Sequence, residues 1–209
     1  MQVTKAALKA TLTAVSKDTK HHDPMNGALV EFNRLIAVDP HRMHITKAHE
    51  PDPADRPTYW IHRSYLDQLV KFAPTRGLVS LDVKEGALVA TVGDRKTMRA
   101  PINVDAIGCG MQPDRYPDWR KVAATPEPNG GNRAVFDPTY VADAMRCANE
   151  TDLAYYAAAI GGKPRQTPGV LVELGDDGRV CTFRATLGGF AAWVMPMAPL
   201  EVDPMPVEL

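Results

Sequence analysis

The chain has 209 residues, with 24 Lys and Arg, 25 Asp and Glu, and a formal net charge of −1. Its 44% hydrophobic and 23% charged residues are ordinary for a globular protein and exclude disordered, collagen-like and coiled-coil chains. No stretch reaches the roughly 18 uninterrupted apolar residues of a membrane helix, and the N-terminus lacks an apolar signal core. We therefore expect one large or two small cytoplasmic domains. Proline accounts for 18 of the 209 residues, against an average of about 5%, which predicts short elements rather than long helices.

The first part of the chain predicts a helix followed by an antiparallel sheet. Leu8, Leu12 and Val15 recur at helical spacing and predict a helix over Thr4–Asp18. The strands predicted next are Gly27–Phe32, Leu35–Val38 and Arg42–Lys47, with a turn at Asn33-Arg34. A loop rich in Pro and Asp follows at residues 50–57.

The same order of elements then recurs twice. The second unit has a strand at Tyr59–His62, a helix from an N-cap at Ser64 to about Phe72, and strands at Leu78–Val83, Ala87–Val92 and Thr97–Ile102. The third unit has a strand at Ala134–Phe136, a helix from Pro138 to about Ala148, and strands at Leu153–Ala158, Gly169–Leu174, Arg179–Ala185 and Phe190–Met195. Three strand–helix–strands repeats predict an α+β fold in which helices cover one sheet face.

The repeats and the charge distribution divide the chain. We place two units in residues 1–108, a connector rich in Pro and Gly at 109–131, a third unit at 132–199 and an acidic tail at 200–209. Residues 1–122 carry 18 basic and 14 acidic side chains, net +4, whereas residues 123–209 carry 6 and 11, net −5. The near-neutral total therefore allows a local basic surface for nucleic acid.

Catalytic and metal-binding motifs are missing from the sequence. It has no phosphate-binding loop, no nucleophile elbow and no His-Glu-x-x-His motif, so we expect neither an enzyme nor a cofactor. His41, His44 and Asp39 come nearest to a metal set, but residues three apart on a strand point to opposite faces. The three cysteines, which we expect to be buried and reduced, are Cys109, Cys147 and Cys181.

A basic stripe on the first helix is the main binding signal. It is either a solvated helix face or a surface where lysines contact DNA phosphates without reading sequence. The sequence has no recognition-helix pattern and no aromatic stacking platform. The candidates for DNA-facing charge are Lys5, Lys9, Lys17, Lys20, Arg63 and Lys71.

Three stretches, in this order, carry a family resemblance. The first is Asn26–Glu31 leading to Ala37–Met43, which includes an Asp-x-His-Arg turn. The second is Tyr116–Val122, and the third is Phe136–Asp143 together with Trp193–Met197. They resemble the bacterial DNA polymerase III beta subunit, or sliding clamp, family: the first two its middle domain and the third the second half of its last domain.

The resemblance implies a non-catalytic ring that encircles duplex DNA, with helices lining the hole. It also implies a pocket between the middle and last domains that receives a short extended peptide from a DNA polymerase or repair protein, and a clamp loader as a further partner. The matching pocket residues are Val38, Pro40, His41, Arg42, Met43, Pro117, Lys121, Val122, Trp193, Val194, Met195, Pro196 and Met197.

The chain also departs from the family pattern. Pro40 stands where the family has glycine, and Trp193 is bulkier than the aliphatic residue expected there. Three units make one and a half clamp domains, so a complete ring would need four copies, or three if the third unit is used differently. We expect a compact sliding-clamp-like homo-oligomer of phage or mobile-element origin, acting as a processivity or recruitment factor in DNA replication or repair. The alternative is a non-ring interaction module that binds clamp-partner peptides as a decoy or adaptor.

Overall fold

The computed structural model describes residues 1–17, 24–49, 58–85, 87–93, 96–101, 116–123, 136–160, 169–174, 181–186 and 189–195. The helices are α1 (Lys5–Ala14), α2 (Arg63–Phe72), α3 (Trp119–Ala123) and α4 (Pro138–Ile160), with a 3₁₀ turn at Pro24–Asn26. The strands are β1 (Gln2–Thr4), β2 (Gly27–Glu31), β3 (Arg34–Asp39), β4 (Arg42–Lys47), β5 (Tyr59–His62), β6 (Leu78–Lys84), β7 (Ala87–Val92), β8 (Lys96–Pro101), β9 (Val170–Leu174), β10 (Cys181–Ala185) and β11 (Phe190–Val194).

The first two units interlock by exchanging their opening strands. β1, which precedes α1, pairs antiparallel with β6 of the second unit, from Gln2↔Ser80 to Thr4↔Leu78. β5, which precedes α2, pairs in return with β2 of the first unit, from Gly27↔His62 to Val30↔Tyr59. One hydrophobic core therefore joins α1, α2 and strands of both sheets.

The third unit extends the sheet of the first. β11 pairs antiparallel with β4, with Trp193 opposite Met43 and Val194 opposite Arg42. In the described residues the strand orders are β1-β6-β7-β8 and β5-β2-β3-β4-β11-β10-β9. α4 packs on β10, β11 and α1, so α1 and α4 lie on the same side of the seven-stranded sheet. The predicted α+β repeat fold is confirmed in this arrangement.

Strand alternation gives the seven-stranded sheet two distinct faces. We call the face toward α1 and α4 the helix side and the opposite face the outer side. Along β4, His44 hydrogen-bonds to the Ala10 carbonyl of α1, so Arg42, His44 and Thr46 lie on the helix side. Met43 and Ile45 belong to an apolar cluster on the outer side.

The strand predicted at Leu153–Ala158 is wrong. These residues belong to α4, which has 23 residues and ends at Ile160. Buried Ala144, Cys147, Ala148 and Thr151 keep helical spacing across the predicted break. The proline-based expectation of short elements fails here for a simple reason. Pro138 occupies the tolerated first position of the helix, and the next proline, Pro164, lies beyond its end. Within the described parts of the chain, no helix has both the length and the apolar character needed to cross a membrane.

Helix ends and turns required smaller corrections. α1 begins after Thr4, whose side chain accepts a hydrogen bond from the Ala7 amide, and it ends at Ala14, well before the predicted Asp18. His62, not Ser64, caps α2: its ring accepts from the Ser64 amide. The β2–β3 turn lies at Phe32-Asn33, one residue earlier than predicted, with Phe32 at a φ of +54°.

The predicted connector and third opening strand are described only in part. Within the connector, residues 116–123 include the short helix α3, which the proline content did not predict. Phe136 is not in a strand in this structure, although it packs against the core under α4. Ala134 and Val135 lie outside the described residues, as do the Asp176-Asp177-Gly178 turn and the tail at 200–209.

Candidate functional site

A cationic groove lies on the helix side, between α1 and α4. It encloses about 440 Å³. Its lining residues are Lys9, Leu12, Thr13, Lys17, Arg42, Arg63, Asp143, Arg146, Cys147 and Glu150. The five cationic side chains exceed the two carboxylates by three charges, so the groove suits an anionic ligand.

Arg63 joins α2 to the end of α1 at one side of the groove. Its Nη1 donates to the Val15 carbonyl at 2.7 Å and to the Leu12 carbonyl at 3.4 Å. These carbonyls lie at the C-terminal end of α1, where a cation is favourable. Burial lowers the pKa of Arg63 from its usual range, with Asp67 opposing the shift, but a guanidinium stays charged at physiological pH.

A charged network forms the floor of the groove. Arg42 Nε donates to Asp39 at 2.9 Å, and its Nη1 donates to Asp143 of α4 at 2.8 Å. Arg146, one turn along α4, also pairs with Asp143. The Arg42 guanidinium lies 4.7 Å from the Tyr140 ring centroid, within cation–π range. The network fixes α4 to the β3–β4 hairpin and neutralises Arg42, which leaves the exposed lysines as the more available cations.

The predicted DNA-facing residues divide into two groups. Lys9, Lys17 and Arg63 line the groove together. Lys5 instead donates to the Ala73 carbonyl at 3.0 Å, and Lys71 pairs with Asp67 on exposed α2. Lys20 lies outside the described residues, and because α1 ends at Ala14, the predicted basic stripe does not continue along a helix to this position.

Sequence reasoning missed Arg146 as a member of this groove. Its signal was available, since Asp143 and Arg146 are spaced for an ion pair on one helix face. Arg42 was also not predicted to line this groove, because the family resemblance assigned it to the peptide pocket. β11 pairs with β4 and α4 packs beside α1, and this long-range arrangement was not predicted.

A second candidate site lies on the outer side and is apolar. We call it the outer cluster. Its buried members are Leu29, Ile36, Val38, Met43, Trp60, Tyr116, Trp119 and Trp193, with Ile45, Ala123, Ala191 and Met195 partly buried around them. The segment at 116–123 is fixed over these residues by two hydrogen bonds. Tyr116 donates to the Ile36 carbonyl at 2.9 Å, and Trp119 Nε1 donates to Glu31 at 2.8 Å.

The predicted pocket residues do not all share this face. Val38, Met43, Trp193 and Met195 belong to the outer cluster, whereas Val194 packs in the core under α4. Trp193 is only 5% exposed, so its indole fills the cluster rather than lining an open cleft.

The pocket candidates at the β3–β4 turn are not members of the outer cluster. Pro40 and His41 occupy the exposed β3–β4 turn, where Asp39 accepts from the His41 and Arg42 amides. Arg42 faces the helix side, and the His41 ring stacks on Tyr140 of α4 with 5.5 Å between centroids.

The remaining candidates lie near α3 or beyond the last described strand. Pro117 is half-buried and Lys121 is exposed. Val122 lies within α3, but its side chain is outside the described residues, as are Pro196 and Met197. The Met195 amide donates to the His41 carbonyl at 2.8 Å, which holds the end of β11 beside the turn.

The histidines and cysteines have structural surroundings. His44 is fully buried, and its Nδ1 lies 2.7 Å from the Ala10 carbonyl, to which it must donate. Burial lowers the pKa of His44 to about 4, while burial raises the pKa of both Cys147 and Cys181 to about 11. Cys109 lies outside the described residues. Within those residues, no three His, Cys, Asp or Glu side chains are grouped so that they could hold a metal ion.

Comparisons with known proteins now bear on this arrangement. No protein-family model matches the chain, and no curated protein matches it. Its structure is similar to that of a chain described as a DNA polymerase III beta subunit from Eubacterium rectale, with a TM-score of 0.65, 12% identity and coverage of 94% of this chain and 65% of the other. The chain has the sliding-clamp fold.

Two further clamp structures agree. The DNA polymerase sliding clamp of Bacillus subtilis gives a TM-score of 0.61 at 16% identity, covering 96% of this chain and 64% of that one. The sliding clamp of Pseudomonas aeruginosa gives 0.60 at 16% identity, covering 95% and 66%. This chain therefore spans about two thirds of the length of the clamps it matches, and the predicted clamp-like fold is confirmed.

Proposed function

We propose that this protein is a compact, non-catalytic sliding-clamp-like factor that contacts duplex DNA without reading its sequence and recruits a DNA polymerase or repair protein. The observation that carries the proposal is the cationic groove on the helix side of a clamp fold. The predicted organisation into residues 1–108, 109–131, 132–199 and 200–209 belongs to this proposal, as do the homo-oligomer and the loader.

Lysine point charges support sequence-independent binding. Lys9 and Lys17 are both exposed beside the groove. In the described residues, the ion pairs of the groove join Arg42 and Arg146 to Asp39 and Asp143 and do not include either lysine. Each lysine that neutralises a phosphate releases a counterion, so affinity falls steeply with salt. Arg63 contributes positive charge but is held by backbone carbonyls, and it positions the end of α1.

The DNA contact is tested by replacing the two exposed lysines. We expect Lys9→Ala with Lys17→Ala to weaken binding to duplexes of any sequence and to lower the slope of log K against log salt by about 2. Lys121→Ala, on the outer side, is the matched control and should leave the slope unchanged. An unchanged slope in the double variant would show that the groove does not contact DNA.

The outer cluster is the proposed docking surface for the partner peptide. Ile45, Ala191 and Met195 are only partly buried at its edge, and methionine adapts to different apolar ligands. The His41 carbonyl accepts from the Met195 amide at 2.8 Å, and Lys121 on α3 is exposed. Because the Trp193 indole is only 5% exposed, the peptide would bind beside Met195 at the end of the same strand or displace the indole.

Met195→Ala tests this docking surface. We expect at least about a tenfold loss of affinity for a labelled polymerase-derived peptide, about 1.4 kcal/mol, with DNA binding retained. Lys9→Ala serves as the converse control and should leave peptide affinity intact. Equal peptide affinity in Met195→Ala and the parent protein would remove the outer cluster as the docking surface.

The non-ring module is the second candidate, because a peptide could bind the outer cluster of a single chain without any ring. Retention on nicked circular DNA with release after linearisation supports encirclement. A monomer that binds the peptide but is not retained on circular DNA supports the decoy or adaptor.

A further inference from the structure

Two cationic side chains lie next to one another on the outer side of the seven-stranded sheet. Arg34 of β3 is the Cα partner of Lys47 of β4, and opposite residues of an antiparallel pair project from the same face. The Arg34 guanidinium lies 5.6 Å from the ring centroid of Trp119, a member of the outer cluster, which identifies that face as the outer side. We call Arg34 and Lys47 the outer cation pair. Like charges directly opposite one another in a sheet are destabilising, so the pair would be stabilised by an anion.

No carboxylate of the described residues neutralises the outer cation pair. Glu31 is the Cα partner of Arg34 across the β2–β3 hairpin, but both of its carboxylate oxygens bind elsewhere. One accepts from Trp119 Nε1 at 2.8 Å, and the other pairs with Arg120 at 2.7 Å. The ion pairs of the described residues include neither Arg34 nor Lys47. Their charge is therefore available to an anion from another molecule.

Trp119 orients the Arg34 guanidinium without using its hydrogen-bond donors. The attraction between a cation and an aromatic ring acts through the face of the ring, and the donors of a guanidinium lie in its own plane as a fork that fits a carboxylate. Arg34 is half-buried, whereas Lys47 is exposed. The outer cation pair thus combines an oriented guanidinium with a flexible ammonium group, an arrangement suited to a carboxylate.

The outer cation pair continues the surface proposed for peptide docking. Ile45 and Ala191, two partly buried members of the outer cluster, are Cα partners across β4 and β11. Lys47 follows Ile45 two residues later on the same face of β4. Two residues of a strand span about 7 Å, as do two residues of an extended peptide. An extended peptide that lies along β4 with an apolar side chain over Ile45 therefore brings a side chain two residues away to the outer cation pair.

We propose that the outer cation pair binds a carboxylate of the partner peptide, two residues along the extended chain from an apolar residue that packs on Ile45 and Ala191. The inference rests on the proposed function, because it takes the outer cluster as the docking surface, and it adds the chemistry of the partner segment, which is both apolar and acidic. A carboxylate at this position accepts charge-assisted hydrogen bonds from Arg34 and offsets the repulsion between Arg34 and Lys47.

Two labelled peptides that differ only in charge test the contact. Both keep the apolar residue of the polymerase-derived peptide, and the residues two positions to either side are Glu in one peptide and Gln in the other. Fluorescence anisotropy with the full chain at low salt should show about fivefold tighter binding of the Glu peptide, and added salt should reduce this preference. Arg34→Gln with Lys47→Gln should abolish the preference and leave the affinity for the Gln peptide unchanged. A general loosening of the outer cluster would instead weaken both peptides.

Arg99→Gln is the matched control. Arg99 lies on β8 of the other sheet, where its side chain is 55% exposed and pairs with Glu85, so the same chemical change is made away from the outer side and the preference should persist. Equal binding of the two peptides to the parent chain, or a preference that survives in the double variant, would overturn the inference. If Met195→Ala still weakened both peptides in that case, the docking surface would stand and the acidic contact alone would fall. If neither peptide bound the parent chain, both would fall. A lower salt slope for duplex DNA in the double variant, without any peptide preference, would assign the pair to phosphate and also overturn the inference.

Discussion

The two faces of the seven-stranded sheet are made by the same strands but are stabilised differently. On β4, Arg42, His44 and Thr46 face the helices and are buried through hydrogen bonds and ion pairs. Met43 and Ile45, between them in sequence, face the outer cluster and pack by apolar contact alone. A single alternating strand therefore separates a charged surface suited to nucleic acid from an apolar surface suited to a peptide.

The largest expected effect on stability is at Trp193, a buried indole of the outer cluster. Trp193→Ala should lower the free energy of unfolding by about 3–5 kcal/mol, because a 5% exposed indole is removed from a packed cluster. Urea denaturation followed by far-UV circular dichroism measures the change, with Trp193→Phe expected to lose less. A change below about 1 kcal/mol would mean that the outer side is not a core.

His44 provides the next largest effect, on the helix side. Burial holds its folded-state pKa at about 4, below the ordinary 6.5, so the unfolded chain binds the extra proton first as pH falls. The contribution to stability is complete above pH 6.5, is lost between pH 6.5 and 4, and amounts to about 3 kcal/mol at most. Among the charged groups nearby, Arg42 favours the neutral ring, while Asp39 and Asp143 favour the protonated ring.

Unfolding measured from pH 7.5 to 4 tests this effect. His44→Gln keeps a donor for the Ala10 carbonyl and should lose the part of the pH dependence that belongs to the imidazole. An equal slope in parent and variant over this range would show that another group titrates instead.

The strands of the fold could be predicted from the sequence better than the long helix α4. Alternation along Arg42–Lys47 and the bounds of Tyr59–His62 and Ala87–Val92 follow from local pattern, and the structure has the same bounds. The length of α4 was missed because its helix was predicted to end at about Ala148 and Leu153–Ala158 was predicted as a strand. In the fold Thr151 and Asp152 are buried, and Asp152 accepts from Thr186 at 3.1 Å. Such long-range partners are invisible to local periodicity.

The candidate sites show the same limit. The basic character of Lys9 and Lys17 could be predicted from local charge. The groove, however, forms where α4 packs beside α1 and β11 pairs with β4, and these elements are far apart in sequence. The resemblance assigned Val38, Met43 and Trp193 to one pocket, and in the structure all three belong to the outer cluster. It also placed Arg42 and Val194 there, although strand alternation turns them to the helix side.

Two neighbouring residues of β4 allow the two faces of the sheet to be compared directly, with a smaller expected change in the free energy of unfolding. The Thr46 hydroxyl lies 3.1 Å from that of Thr11, which itself lies 2.9 Å from the Ala7 carbonyl, so Thr46 donates to Thr11. Thr46→Val should lower the free energy of unfolding by about 1 kcal/mol through loss of this buried bond. Ile45→Val, next to it on the outer side, should lose about as much by removing one methylene group. A neutral Thr46→Val beside a costly Ile45→Val would indicate that apolar packing stabilises both faces.

The smallest expected change in stability and in DNA binding is for Lys71, a basic residue on α2 that does not line the groove. Lys71 pairs with Asp67 one turn away on α2, and the two side chains are 74% and 47% exposed. Such exposed pairs contribute about 0.5 kcal/mol or less, so Lys71→Ala should barely change the unfolding midpoint. The neighbouring carboxylate also offsets the lysine's charge, so the salt dependence of DNA binding should stay at the parent value. If Lys71→Ala lowered the salt slope as much as Lys9→Ala does, the cationic surface would extend across α2. The DNA contact would then be the whole helix layer rather than the groove between α1 and α4.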